Sequence, residues 1–159
     1  MSMYNEADAR AVLDKVVKLS KADECTATLE GSVEGNARFA LNNVSTSGIV
    51  SDTVLSVRSA YGKRLGTATT NAYDDASLER VVRRAEELAQ LAPENPEFMP
   101  ALEKQAYKPS PTFNASVAGI TPEYRAKVAA DSIEPCRAAK MVAAGFLADG
   151  QGFVAIANS

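Results

Sequence analysis

The sequence predicts an α+β domain with two layers, a mostly antiparallel sheet carrying helices packed on one face. Three observations lead there. Apolar residues recur at helical spacing in three segments, they alternate at strand spacing between the first two of these, and the loops joining the strand segments are short. The 159 residues fit a single domain, 1–159. A chain of this size buries roughly two thirds of its unfolded surface, so it needs no disulfide or metal staple.

The first helix is expected at about residues 5–21. Ala9, Val12, Leu13, Val16 and Val17 share one face. Asn5 is placed to cap it, Glu6 and Asp8 suit its first turn, and Lys18 and Lys21 suit its end. Cys25, Ala27 and Leu29 then alternate with Thr26, Thr28 and Glu30 as a half-buried strand. Residues 31–36 read as a turn or bulge. Residues 38–45 read as a second extended stretch, with Phe39, Leu41 and Val44 packing, and Gly48 breaks it. Residues 49–60 resume as strand. Tyr61-Gly62-Lys63 is a hairpin turn, and residues 64–71 form the returning strand, where Thr67, Thr69 and Thr70 supply β-propensity.

The second helix follows Asp74 as cap, with Asp75 in its first turn. Leu78, Val81, Val82, Ala85, Leu88, Ala89 and Ala92 form its apolar stripe, Glu79 sits four residues before Arg83, and Pro93 stops it. Five of the seven prolines fall in residues 93–120, which marks a long irregular connection within the domain. Thr121-Pro122-Glu123 starts a third helix that runs to about residue 134, with Val128 and Ile133 inward and Pro135 ending or kinking it. Residues 141–147 and 153–156 are apolar runs around a glycine-rich stretch, 149–152, and suggest a hairpin. A strand left uncovered at the end of the sequence points to a truncated chain.

Composition excludes several functions. There is no histidine, so no Ser-His-Asp or Cys-His site can be built. Cys25 and Cys136 make no disulfide framework and read as free, half-buried thiols. With those donors, no zinc site is expected within the chain. The net charge of -3 is spread without a basic stripe, which argues against nucleic acid. Residues 1–21 lack the apolar core of a signal peptide, and no run is long enough to span a bilayer, so a cytoplasmic setting is expected. Asn43-Val44-Ser45 and Asn114-Ala115-Ser116 match the glycosylation pattern by chance in that setting.

Most candidate motifs have a plain structural account. Asp74-Asp75 is explained by capping, and Asp23-Glu24 by a solvated turn. Gly62-Lys63-Arg64-Leu65-Gly66 lacks phosphate-loop spacing and does not open a helix. Gly145, Gly150 and Gly152 read as turn or bulge residues. Arg80, Arg83 and Arg84 lie among Glu79, Glu86 and Glu87 as a solvated face. Arg38 with Asn42, Asn43, Ser45, Thr46 and Ser47 stands apart, because asparagine is poorly suited to a strand. These residues lie at a strand end or bulge, or they present hydrogen-bonding groups to an extended peptide or another domain.

Several segments together resemble one family. Arg38-Phe39-Ala40-Leu41-Asn42-Asn43-Val44 is similar to the R-x-A-x-N-x-I/V stretch of TldD/PmbA proteins, historically called modulators of DNA gyrase. Gly62-Lys63-Arg64-Leu65-Gly66-Thr67-Ala68-Thr69-Thr70-Asn71 resembles that family's G-x-R-x-G-x-A-x-T-N hairpin. Residues 75–92 are similar to its next helix, residues 93–98 to the acidic, proline-bearing loop, and Ala144-Gly145-Phe146 with Ala155-Ile156-Ala157-Asn158-Ser159 to its paired strands. The resemblance implies the noncatalytic N-terminal domain of a TldD/PmbA-like metallopeptidase. In an active family member a His-Glu-x-x-x-His helix beyond this region would hold zinc, and this chain would hold no cofactor. The implied partners are a homologous subunit, in a homo- or heterodimer, and a peptide substrate, with Arg38, Asn42 and Asn43 as contact residues. Neither nucleic acid nor membrane is expected. The alternative is a stand-alone α+β protein-interaction module with no enzymatic role. A carboxylate-only hydrolase is disfavoured, since capping or solvation accounts for every acidic pair.

Overall fold

A computed structural model describes residues 4–159. The order of elements is α1 (Glu6–Leu19), β1 (Glu24–Ala40), β2 (Asn43–Tyr61), β3 (Arg64–Thr70), α2 (Asp75–Leu91), α3 (Ala115–Ala118), α4 (Pro122–Ala138) and β4 (Gly145–Asn158). The strands form an antiparallel sheet in the order β3-β2-β1-β4. The fold is therefore α+β, as the alternating periodicities predict. The described residues divide into two compact units. The larger contains residues 4–31, 53–109 and 153–159, the smaller residues 32–52 and 110–152.

In the larger unit, one face of the sheet is buried under α1 and α2. Ala9, Leu13 and Val16 of α1 meet Cys25, Ala27 and Leu29 of β1, Leu55 and Val57 of β2, and Leu78, Val81, Val82 and Ala85 of α2. Each fully buried leucine or valine contributes roughly 1.5–3 kcal/mol. Both helices start where the sequence predicts. The Asn5 side chain accepts from Asp8 N–H, and the Asp74 carboxylate accepts from Ser77 N–H. The β2–β3 hairpin pairs Leu55 with Thr70 through Tyr61 with Arg64. Its two-residue turn places Gly62 at φ +55°, a conformation that favours glycine, and Gly62 N–H donates to the Asp23 carboxylate at 2.8 Å. Gly66 lets β3 lie directly against α2. A Cβ there would stand 2.2 Å from Ala89 N and 2.3 Å from Ala85 O.

Two expectations about charged residues in this unit are corrected. Glu24 opens β1 and accepts from Ala101 N–H, so it is not part of a solvated turn. Glu86 is buried rather than solvated. It accepts from Lys21 N–H at 2.6 Å and from Arg83 at 2.5 Å, and Arg83 also donates to Leu19 C=O at 2.7 Å. The pair ties the C-terminal end of α1 to α2, and these bonds compensate the burial of its charge. The predicted Glu79–Arg83 pair is long, at 3.9 Å.

The smaller unit has its own core of Phe39, Ala129, Ile133 and Ala143, with Cys136 and Leu147 against it. α4 runs through Pro135 to Ala138 rather than ending near residue 134. Both Pro135 and Asp131 are exposed, so the carbonyl that loses its helical donor can be hydrated. Of the two residues expected to face inward, Ile133 is buried and Val128 only half-buried; Arg125 and Ala129 complete the buried face. The helix closes on a Schellman motif. Lys140 takes φ +57° and donates to Arg137 C=O, and Met141 donates to Cys136 C=O.

Three strand boundaries also differ from expectation. Residues 31–36 and Gly48 lie within continuous strands, and the predicted 38–45 stretch is split by a turn at Leu41-Asn42. The expected terminal hairpin is one strand, β4, whose burial alternates along all of Gly145–Asn158. Its glycines are extended, not turned, and Gly145 serves instead to admit the Phe39 ring, which would stand 2.4 Å from a Cβ. The 93–120 connection holds one short helix, α3, near its end. Among the described residues no helix is long and apolar enough to cross a membrane.

Candidate functional site at the β1–β2 hairpin end

The polar cluster singled out in the sequence falls at the tight turn between β1 and β2. Leu41 and Asn42 both have positive φ, 50° and 61°. Two such residues in succession make a type I′ turn, which matches the twist of the flanking strands and tolerates asparagine well. Asn42 is engaged on all sides. Its Nδ2 donates to Met141 C=O at 3.0 Å, and its Oδ1 accepts from Ala143 N–H at 2.7 Å. Its backbone N–H donates to Ala143 C=O at 3.3 Å, and its own carbonyl accepts from Arg137 at 3.0 Å. Asn42 thus clamps the turn to the segment after α4.

Arg38 and Asn43 are arranged differently. Arg38 is exposed on β1, with its guanidinium 5.6 Å from the centroid of the Phe146 ring. Asn43 is exposed, and its side-chain amide donates to Leu41 C=O at 2.9 Å. Ser45 and Ser47 donate to Arg38 C=O and Asn36 C=O, so their hydroxyls serve β1. Around this end lie exposed apolar side chains that sequence reasoning did not assign to a site. Leu41 is 75% exposed, Val142 66%, Met141 59% and Phe146 58%. Leu41, with Val44, was expected to pack and is instead exposed, because it sits in the turn; the sequence signal for the other three was an apolar run at 141–147, which read as strand.

Asn42→Ala removes both side-chain bonds and leaves alanine in the left-handed region. The expected cost is on the order of 2–3 kcal/mol in urea unfolding, with Asn42→Gly costing less because glycine accepts that φ.

A second concavity, of about 770 Å³, lies between β3 and α2 and includes Arg80, Arg83 and Arg84. Its cations are taken. Arg80 donates to Ser77, Arg83 to Glu86 and Arg84 to Glu87. No anion site is built there. At the start of α2, the Ser77 hydroxyl, followed by the Ser77 N–H, holds the Asp74 carboxyl below its ordinary 3.8. A lowered folded value means this cap contributes fully above 3.8 and loses its effect as pH falls through the folded value. Amide exchange at Ser77 should accelerate, beyond its intrinsic pH dependence, as pH falls below about 4, and Asp74→Asn should flatten that dependence.

The donor set does not suit a zinc site. The chain has no histidine, and among the described residues no three Cys, Asp or Glu side chains converge. Burial, reinforced by the charge of Glu86, pushes the Cys25 thiol above its ordinary 9.0 against a lowering bond from Ser20, so it stays protonated and a poor ligand.

The geometry can be set beside known proteins. None of the curated protein sequences matches the chain. Solved structures of similar fold include TldE from Thermococcus kodakarensis, with a TM-score of 0.82 and 20% identity over 94% of this chain and 34% of that one. A protein described as a modulator of DNA gyrase from Thermotoga maritima gives 0.77 and 15%, over 94% and 35%. Another so described, from Bacteroides thetaiotaomicron, gives 0.72 and 16%, over 98% and 37%. The chain therefore spans about a third of the length of each. Residues 26–89, from β1 into α2, match PmbA/TldA metallopeptidase domain 1. The matched segment and the shared fold make the chain similar to the first domain of PmbA/TldD proteins.

Proposed function

We propose that this chain is the noncatalytic first domain of a TldD/PmbA-type metallopeptidase or of its metal-free partner, and that the β1–β2 hairpin end contacts a homologous subunit beside the peptide cleft. The observation that carries this reading is a group of exposed apolar side chains, Leu41, Met141, Val142 and Phe146, on the turn and on the segment that Asn42 ties to it, with the exposed Arg38 over the Phe146 ring. Exposed apolar side chains grouped at one end, with an arginine and an aromatic ring among them, have the composition of a contact surface. Arg38 and Asn43 supply exposed polar groups, and Asn42 supplies the support. In this reading zinc and the groups that activate water belong to a separate region of the active family member, in a cytoplasmic protein that binds neither nucleic acid nor membrane.

Sedimentation equilibrium of the chain mixed with a homologous full-length TldD-type subunit tests it. Association is expected, weakened roughly tenfold or more by Phe146→Ser and by Arg38→Ala. No association at about 100 μM, or association indifferent to both changes, would reject the reading.

A further inference from the structure

The larger unit carries a second surface, at the far end of β4 from the hairpin contact residues in sequence. β4 is the last strand in the sheet order, so among the described residues one of its sides has no ladder. Which backbone groups face that open side follows from Ser159. Its N–H donates to Cys25 C=O at 3.0 Å, and its Oγ accepts from Cys25 N–H at 3.0 Å, so residue 159 is turned toward β1. Backbone groups alternate sides along a strand, which turns the N–H and C=O of Val154, Ile156 and Asn158 outward.

A groove of about 440 Å³ lies along this stretch. It is lined by every residue from 153 to 157 and, on α1, by Ala9, Arg10, Leu13 and Asp14. Successive strand residues point to opposite faces, so a groove lined by five in a row follows the edge of the strand rather than one face. Leu13 and Ala9 are buried and make an apolar wall, while Val154 and Ile156 are each 64% exposed. The charge of the rim is uneven. Arg10 is paired with Glu6 at 3.2 Å, whereas the exposed Asp14 has no partner among the described residues.

We propose that this groove binds an extended polypeptide segment as an added strand on β4, with a lysine or arginine of that segment opposite Asp14. The outward amides and carbonyls supply the affinity, the α1 wall takes small apolar side chains at alternate positions, and Asp14 selects a cationic one. This proposal uses other residues than the hairpin contact surface and does not rest on it.

The test is nuclear magnetic resonance titration of the 159-residue chain with a short acetylated and amidated peptide that alternates threonine and valine around one lysine. Saturable amide shifts are expected at Val154, Ile156 and Asn158 and on α1 near Ala9 and Asp14, with slowed hydrogen exchange at Val154 and Ile156. The same peptide N-methylated at alternate residues of its bonding edge should bind roughly tenfold more weakly, because it loses its donors without losing its side chains. Val154→Pro should match that loss with an unchanged circular dichroism spectrum, since proline removes only an outward N–H and edge strands accept it there. Asp14→Asn should weaken the lysine peptide by roughly threefold and leave a threonine-for-lysine version unaffected. Absence of saturable shifts up to millimolar peptide, or equal binding of the N-methylated peptide, would overturn the proposal. The peptide arm decides even if the proline variant does not fold.

Discussion

Asp149→Ala is expected to cost the fold about 3–5 kcal/mol, well above the cost of removing its partner, Arg125. Arg125 projects from α4, and its side chain is only 4% exposed. Its Nη1 donates to both Asp149 oxygens, at 2.8 and 3.0 Å. The guanidinium lies against Gly35, where a Cβ would stand 2.1 Å from Nη1, so β1 leaves it no room to move that way. Its Nε and Nη2 have no partner among the described residues. Deleting the carboxylate therefore leaves a buried cation with nothing to balance it. Arg125→Met acts in the opposite sense. It removes the cation together with two unsatisfied nitrogens and fills the same channel with a flexible apolar chain. The carboxylate left behind is 17% exposed and can take water, so the cost should be about 1–2 kcal/mol. Urea unfolding of the two variants checks the order. If Arg125→Met proved the more damaging, the desolvation argument would fail.

Gly66→Ala should lower stability by about 3 kcal/mol through overpacking alone. The added methyl would sit within 2.2–2.7 Å of Ala89 N, Ala85 O and Leu88 C, which are backbone atoms of α2 and cannot rotate away. The helix must lift from β3, and the packing of Val81, Val82 and Ala85 loosens with it. At roughly 2–4 °C per kcal/mol for a chain of this size, the melting temperature should fall by about 6–12 °C. Gly48→Ala is the control. Nothing lies within 4 Å of a Cβ there and its φ is not positive, so that change should be neutral or stabilising by up to about 1 kcal/mol. Similar losses at the two glycines, followed by differential scanning calorimetry, would show that close approach to α2 is not what Gly66 is for.

The same glycines explain what the sequence could and could not disclose. The helix starts were legible, because Asn5, Asp74 and Thr121 cap through bonds to residues three positions on, and such bonds depend on local chemistry alone. The strands were cut too short. Gly31, Gly35, Gly48 and the pair in β4 read as breaks, but most of them clear space for something distant in sequence. A Cβ at Gly31 would meet the Phe153 ring at 2.4 Å, and one at Gly35 the Arg125 guanidinium. A glycine kept for close approach looks the same in sequence as one kept for a turn. The converse error hid the β1–β2 turn, where leucine takes a positive φ that its side chain disfavours. Within the candidate site, Arg38, Asn42 and Asn43 were legible because they are neighbours in sequence and out of character for a strand. Met141, Val142 and Phe146 were not, since only the fold brings their part of the chain to that turn. The burial of Glu86 was hidden for a related reason: its bonds to Lys21 N–H and Arg83 depend on how α1 ends.

The position of β4 in the sheet also bears on how the protein is made. β1, β2 and β3 follow one another within residues 24–70 and can zip through two tight turns, whereas the bond from Cys25 to Ser159 spans 134 residues. Such distant pairing is slow to close. At roughly 5–20 residues per second on the ribosome, β1 waits several seconds after β3 emerges for its second neighbour. During that interval its unpaired edge could recruit strands from other nascent chains. Glu30, Glu34 and Arg38, all exposed and four residues apart along β1, place charges where such strays would have to dock, and so guard the sheet against aggregation before it is complete.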